Sequence, residues 1–89
     1  MNKIIIITTK GCEACSIAIN HVDVAIFQSS KDITKEVLNR EDSKELIKKY
    51  SLKDFPSILY VVDDKVQFKV VGSYPTAVFL RWIDMYFKI

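Results

Sequence analysis

Hydrophobic positions alternate between two periods along the chain. Ile4 to Thr8 is an unbroken apolar, β-branched run, the mark of a strand covered on both faces. Gly11 interrupts it. From Cys12 onward Cys15, Ala18, Ile19, Val22, Ala25 and Ile26 recur at intervals of three and four, which predicts a helix fading near Gln28-Ser29-Ser30. Ile33 to Leu38 reads as a second strand. Asp42-Ser43-Lys44-Glu45 has the form of a capping box, with Asp42 as N-cap, opening a short helix that buries Leu46, Ile47 and Tyr50. Ser57 to Val62 and Val66 to Val71 are β runs joined by Asp63-Asp64-Lys65, the spacing of a tight hairpin. Gly72 ends the hairpin, and Pro75 suits the first position of a last helix reaching about Lys88.

The order is therefore β-α-β-α-β-β-α. Its first β-α-β should form a right-handed parallel unit, with the hairpin extending the sheet antiparallel. The expectation is an α/β fold with a four-stranded mixed sheet and helices on both faces. At 89 residues the chain, read as one domain over 1–89, has room for one core.

Composition narrows the field. A formal net charge of +2 with scattered Lys and Arg argues for neither nucleic acid nor an anionic membrane as partner. The apolar stretch after Lys3 stops at Thr8, short of the ~7–15 residues of a signal-peptide core, and no small-residue cleavage site follows. No segment approaches the ~18 apolar residues of a membrane span. A cytoplasmic location is expected. In a reducing compartment the two cysteines, at C-x-x-C spacing, read as catalytic or metal-binding more readily than structural.

Cys12 and Cys15 fall where the first strand hands over to the first helix. Free N–H groups and the positive end of the helix dipole favour a thiolate at the first cysteine, and Lys10 adds positive charge. Cys15, one turn further in on the apolar stripe, should be shielded. Cys12 is then the nucleophile and Cys15 the resolving thiol. Glu13 opposes a second negative charge beside it, so Cys12 should be only moderately acidified and the pair should act as a reductant. His21, the single histidine, lies about 180° around the helix from Cys12 at ~100° per residue, so a one-chain metal site is not expected. An iron–sulfur cluster shared between chains stays open as an alternative.

The C-x-x-C after the first strand, Phe55-Pro56 opening the third, the hairpin, and Gly72 before the last helix together resemble the thioredoxin/glutaredoxin superfamily over nearly the whole chain. The resemblance implies a thioredoxin fold and a cis Pro56 lying against the cysteines. It also implies that Phe55 offers backbone hydrogen bonds to a substrate strand, with Lys10 and Gly11 beside the substrate. The chain lacks Cys-Pro-Tyr-Cys, the Trp-Cys-Gly-Pro-Cys of thioredoxins, and the Gly-Gly with Asp-Asp by which glutaredoxins hold glutathione. Beyond these departures the chain resembles small glutaredoxin-like thioredoxins, or redoxins. They imply protein disulfides as substrates, recharging by a thioredoxin reductase, and no bound cofactor beyond the Cys12–Cys15 pair. A glutathione-dependent glutaredoxin and a metal-binding module are the alternatives.

The last helix, Ala77 to Ile89, carries a narrow polar stripe of Arg81, Asp84 and Lys88 in an otherwise apolar surface. Half of that surface should pack on the sheet, and the remainder invites a dimer or a docking partner.

Overall fold

A computed structural model describes residues 1–88. The strands are β1 (Asn2–Thr8), β2 (Ile33–Asn39), β3 (Ser57–Val62) and β4 (Lys65–Val71), and the helices are α1 (Glu13–Ser29), α2 (Lys44–Tyr50) and α3 (Thr76–Tyr86). They form one sheet of order β2-β1-β3-β4. β1 runs parallel to β2 and antiparallel to β3, and β3 is antiparallel to β4. The expected α/β order and mixed sheet are present. No helix among the described residues is long and apolar enough to cross a membrane.

β1 is apolar without a break from Ile4 to Ile7 because both its faces are covered there. Ile4 and Ile6 join Ala18, Val22 and Ala25 of α1 and Phe79 and Ile83 of α3 in one core. Ile5 and Ile7 turn the other way, onto Leu52 and Leu59, with Leu46, Ile47 and Tyr50 of α2 over them. Each fully buried Ile contributes about 1.5–3 kcal/mol from the area removed from water. The hairpin turns on Asp63 and Asp64, both at positive φ (50° and 66°), as a two-residue turn that follows the strand twist requires.

Three local expectations are corrected. Asp42 does not cap α2. It ends a 3-10 turn (Arg40–Asp42) whose cap is Asn39, the Asn39 Oδ1 accepting the Asp42 N–H at 2.9 Å. Ser43 is the N-cap of α2 without a side-chain cap bond, because its hydroxyl donates to the Asn39 carbonyl at 2.8 Å. Leu46, Ile47 and Tyr50 are half-buried, not buried. Pro75 stands one position earlier than expected, as the N-cap of α3, and the helix ends at Tyr86.

The apolar excess of α3 is mostly absorbed within the chain. Trp82, Tyr86 and Phe87 cluster with Tyr60 and Phe68, with ring centroids 4.7 to 6.5 Å apart. Met85 is the large apolar side chain left exposed on α3, while Ile17, Val24 and Phe27 are exposed on α1. Ile89, counted in the expected surface, lies outside the described residues.

Candidate functional site

β1 ends at Thr8, and the chain passes through Gly11 at φ +65° before α1 begins. Glycine takes that conformation without the cost a Cβ adds, and Gly11 there leads the chain from β1 to Cys12 and the helix. Cys12 is the N-cap of α1, one position outside the helix. Its Sγ accepts the Cys15 N–H at 3.0 Å, in the place a Ser or Asp oxygen usually holds. The two cysteines are joined in a disulfide, with Cα atoms 5.2 Å apart.

The two sulfurs differ in access. Both cysteines border an open hollow of about 490 Å³, with Thr8, Thr9, Gly11, Glu13, Ser16 and Ile19, and Cys12 is half-buried. Cys15 is 3% exposed. When the disulfide opens, a thiolate on Cys12 keeps one backbone donor and the positive helix end, and both favour the charged form. Glu13, exposed in the first turn of α1, also gains from the helix end and sets a carboxylate beside that thiolate. Lys10 is exposed, with no ion pair among the described residues.

Pro56 is buried and the Phe55–Pro56 bond is cis. Ile7 pairs with Ser57, so Pro56 stands beside the end of β1 from which the cysteine loop departs. The Pro56 carbonyl accepts the Gly72 N–H at 2.8 Å, tying this corner to the loop before α3. Phe55 is half-buried against the second core. Phe55, Pro56 and Lys10 do not line the hollow at Cys12. They lie at the same end of the sheet but not on its wall.

His21 sits on α1 away from the cysteines, its Nδ1 2.7 Å from the Tyr74 carbonyl. Among the described residues, no three His, Cys, Asp or Glu side chains converge as a metal site.

One neighbour had no sequence signal. The Arg40 guanidinium lies over the Phe55 ring, 5.5 Å from its centroid, joining the end of β2 to the loop before β3. Thr8, Thr9 and Ser16, which wall the hollow, were legible only as residues flanking the motif.

A family model described as a thioredoxin domain matches residues 2–84. No curated protein matches. Among solved structures, thioredoxin-2 of the malaria parasite superposes with a TM-score of 0.82 at 16% identity, covering 97% of this chain and 84% of that one. A second malarial protein gives 0.81 at 16% identity, covering 99% of each. At such identity the superpositions speak for the fold, the expected thioredoxin fold. The domain match adds the family, and the neighbouring cysteine pair supports thiol–disulfide oxidoreductase chemistry in general. With a matching family model spanning almost its whole length, this chain belongs to the thioredoxin-domain family.

Proposed function

We propose that the chain reduces disulfide bonds in protein substrates, with Cys12 as the attacking thiolate and Cys15 as the resolving thiol. The observation that carries this reading is the asymmetry of the pair. Both residues border the hollow, but Cys12 is half-buried and its Sγ accepts the Cys15 N–H at 3.0 Å, whereas Cys15 is 3% exposed.

The Cys12 thiolate attacks one sulfur of the substrate disulfide, forming a mixed disulfide and releasing the other sulfur as a thiolate, which takes a proton. Cys15 then loses its proton and attacks Cys12 Sγ. That step closes the Cys12–Cys15 disulfide and frees the second substrate thiol. Two electrons pass from the dithiol to the substrate. In this proposal Gly11, which lines the hollow, and Lys10 next to it in the chain meet the substrate, and Phe55 offers its backbone to it beside Pro56. An NADPH-dependent reductase of the thioredoxin-reductase type restores the dithiol. As part of the proposal we assign this work to the cytoplasm, where thiols are kept reduced.

The test is reduction of insulin disulfides with NADPH and thioredoxin reductase, against NADPH with glutathione and its reductase, and Cys12→Ser as control. Activity with the first system, lost in Cys12→Ser, is the expected result. Activity only with glutathione would move the chain to a glutaredoxin role. None with either would overturn the reading.

A further inference from the structure

Arg40 stands where β2 ends. Thr8 pairs with Asn39 and Ile7 with Ser57, so Arg40 and Phe55 flank the end of β1, just before the chain turns towards Cys12. The 3-10 turn bearing Arg40 is fixed by the Asn39 cap and by the Ser43 N–H on the Arg40 carbonyl at 3.3 Å. Its guanidinium lies over Phe55, a ring seated in the second core. A cation–π contact with a half-buried ring limits the positions the guanidinium takes and leaves its donor fork open to a carboxylate. Arg40 makes no ion pair among the described residues.

The charge continues along α2. Arg40, Lys44 and Lys48, spaced by four, line a hollow of about 350 Å³ with Glu41 and Ile47. Neither lysine is in an ion pair among the described residues. Asp42 and Glu45 line an adjoining hollow that shares Glu41 and Lys44 with the first, so these carboxylates border the stripe and Glu41 lies within it. Glu13 at the cleft and Asp54 beside Phe55 are exposed carboxylates that oppose the field there. Lys44 and Lys48 stand one turn apart on α2, about 6 Å at helical rise, and Arg40 precedes them in the 3-10 turn.

We propose that Arg40, Lys44 and Lys48 form a docking stripe for an acidic polypeptide segment adjoining the cysteine that Cys12 attacks. This rests on the reductase reading and adds the substrate class to it. Such a stripe raises the encounter rate and sets orientation more than it raises final affinity, and salt weakens it.

The test uses pre-reduced protein in single turnover, so that no recharging enzyme is involved. Two synthetic peptides, each closed by an internal disulfide, are flanked by four Glu or by four Lys. Each rate is divided by the rate with dithiothreitol, which removes the intrinsic reactivity of the peptide. At low salt the Glu peptide should react about tenfold faster than the Lys peptide, as steering by several exposed charges implies. The preference should shrink at about 1 M salt, and should fall severalfold in Arg40→Gln and in Lys44→Gln/Lys48→Gln, all exposed positions. No preference, or one that survives both variants, overturns the stripe. Glutathione disulfide supplies carboxylates without a segment. An equal gain for it, dependent on Arg40 but not on the lysines, overturns the assignment to a polypeptide. If neither peptide reacts faster than with dithiothreitol, the reductase reading itself fails and the stripe falls with it.

Discussion

His21 of α1 donates its Nδ1–H to the carbonyl of Tyr74 at 2.7 Å. A carbonyl can only accept, so the contact selects the Nδ1–H tautomer of the neutral ring and is kept in the imidazolium. It joins the helix that carries the cysteines to the loop whose Gly72 N–H donates to Pro56. The lone histidine is thus a strut between α1 and the loop before α3.

Removing that strut leaves the half-buried Tyr74 carbonyl without its partner. His21→Ala should lower stability by about 1–2 kcal/mol and speed hydrogen exchange in residues 73–75. His21→Asn, which keeps a donor, should recover part of the loss in urea titration. An unchanged midpoint in His21→Ala would show that the contact has no structural weight.

The unequal exposure of the sulfurs separates their roles. Cys15→Ser should retain attack by Cys12 and accumulate a mixed disulfide with a protein substrate, visible as a mass adduct. Cys12→Ser should accumulate none, because the remaining thiol is buried. The reverse pattern would exchange the two assignments.

Glu13 places a carboxylate next to the thiolate that Cys12 must become. In Glu13→Gln, iodoacetamide should alkylate reduced Cys12 about two- to fivefold faster at pH 6, and the gain should fade in ~1 M salt. Equal rates would leave Glu13 without influence on Cys12.

Tyr60 is buried with its hydroxyl donating to the Phe79 carbonyl at 3.0 Å, and burial pushes its phenol above the usual tyrosine range. In the unfolded chain the phenol ionises near pH ~10. The folded state holds it neutral, so its stabilising effect is complete below that pH and is lost as pH rises further. Tyr60→Phe should cost about 0.5–1.5 kcal/mol at pH 7. It should also flatten the fall in stability above pH ~10, measured by denaturant titration at stepped pH. An alkaline slope equal to that of the unaltered chain would contradict this account.

Much of the fold was legible because burial on both faces leaves a plain trace. Ile4 to Ile7 could only be an interior strand, and Ser57–Val62 is found with the bounds its β-branched run suggests. The failures were at helix starts. Asp42 and Ser43 both suit an N-cap, and the choice turned on Asn39, whose side chain and carbonyl hold both residues in the preceding turn. On α3 the apolar excess looked like an interface because sequence periodicity counts neighbours on one helix. Phe68 of β4 and Tyr60 of β3, which take up Trp82 and Tyr86, are remote in the chain. Phe27, 88% exposed on α1, belonged to no pattern that would have marked it.

The cysteine spacing, the glycine before it and the strand-to-helix transition around it are local facts, and local facts survive in one dimension. They determined the chemistry open to the chain and the face on which it occurs, since a helix start presents its free N–H groups wherever it stands. The surroundings of that chemistry were decided by the tertiary structure alone. Sheet order brings the end of β2 and the start of β3 to the end of β1, and so sets Arg40 over Phe55, 15 positions away in sequence. Packing of α1 against α3 sets His21 against Tyr74, 53 positions away. Such contacts arise from chain crossings, which no repeat or spacing within a single segment records.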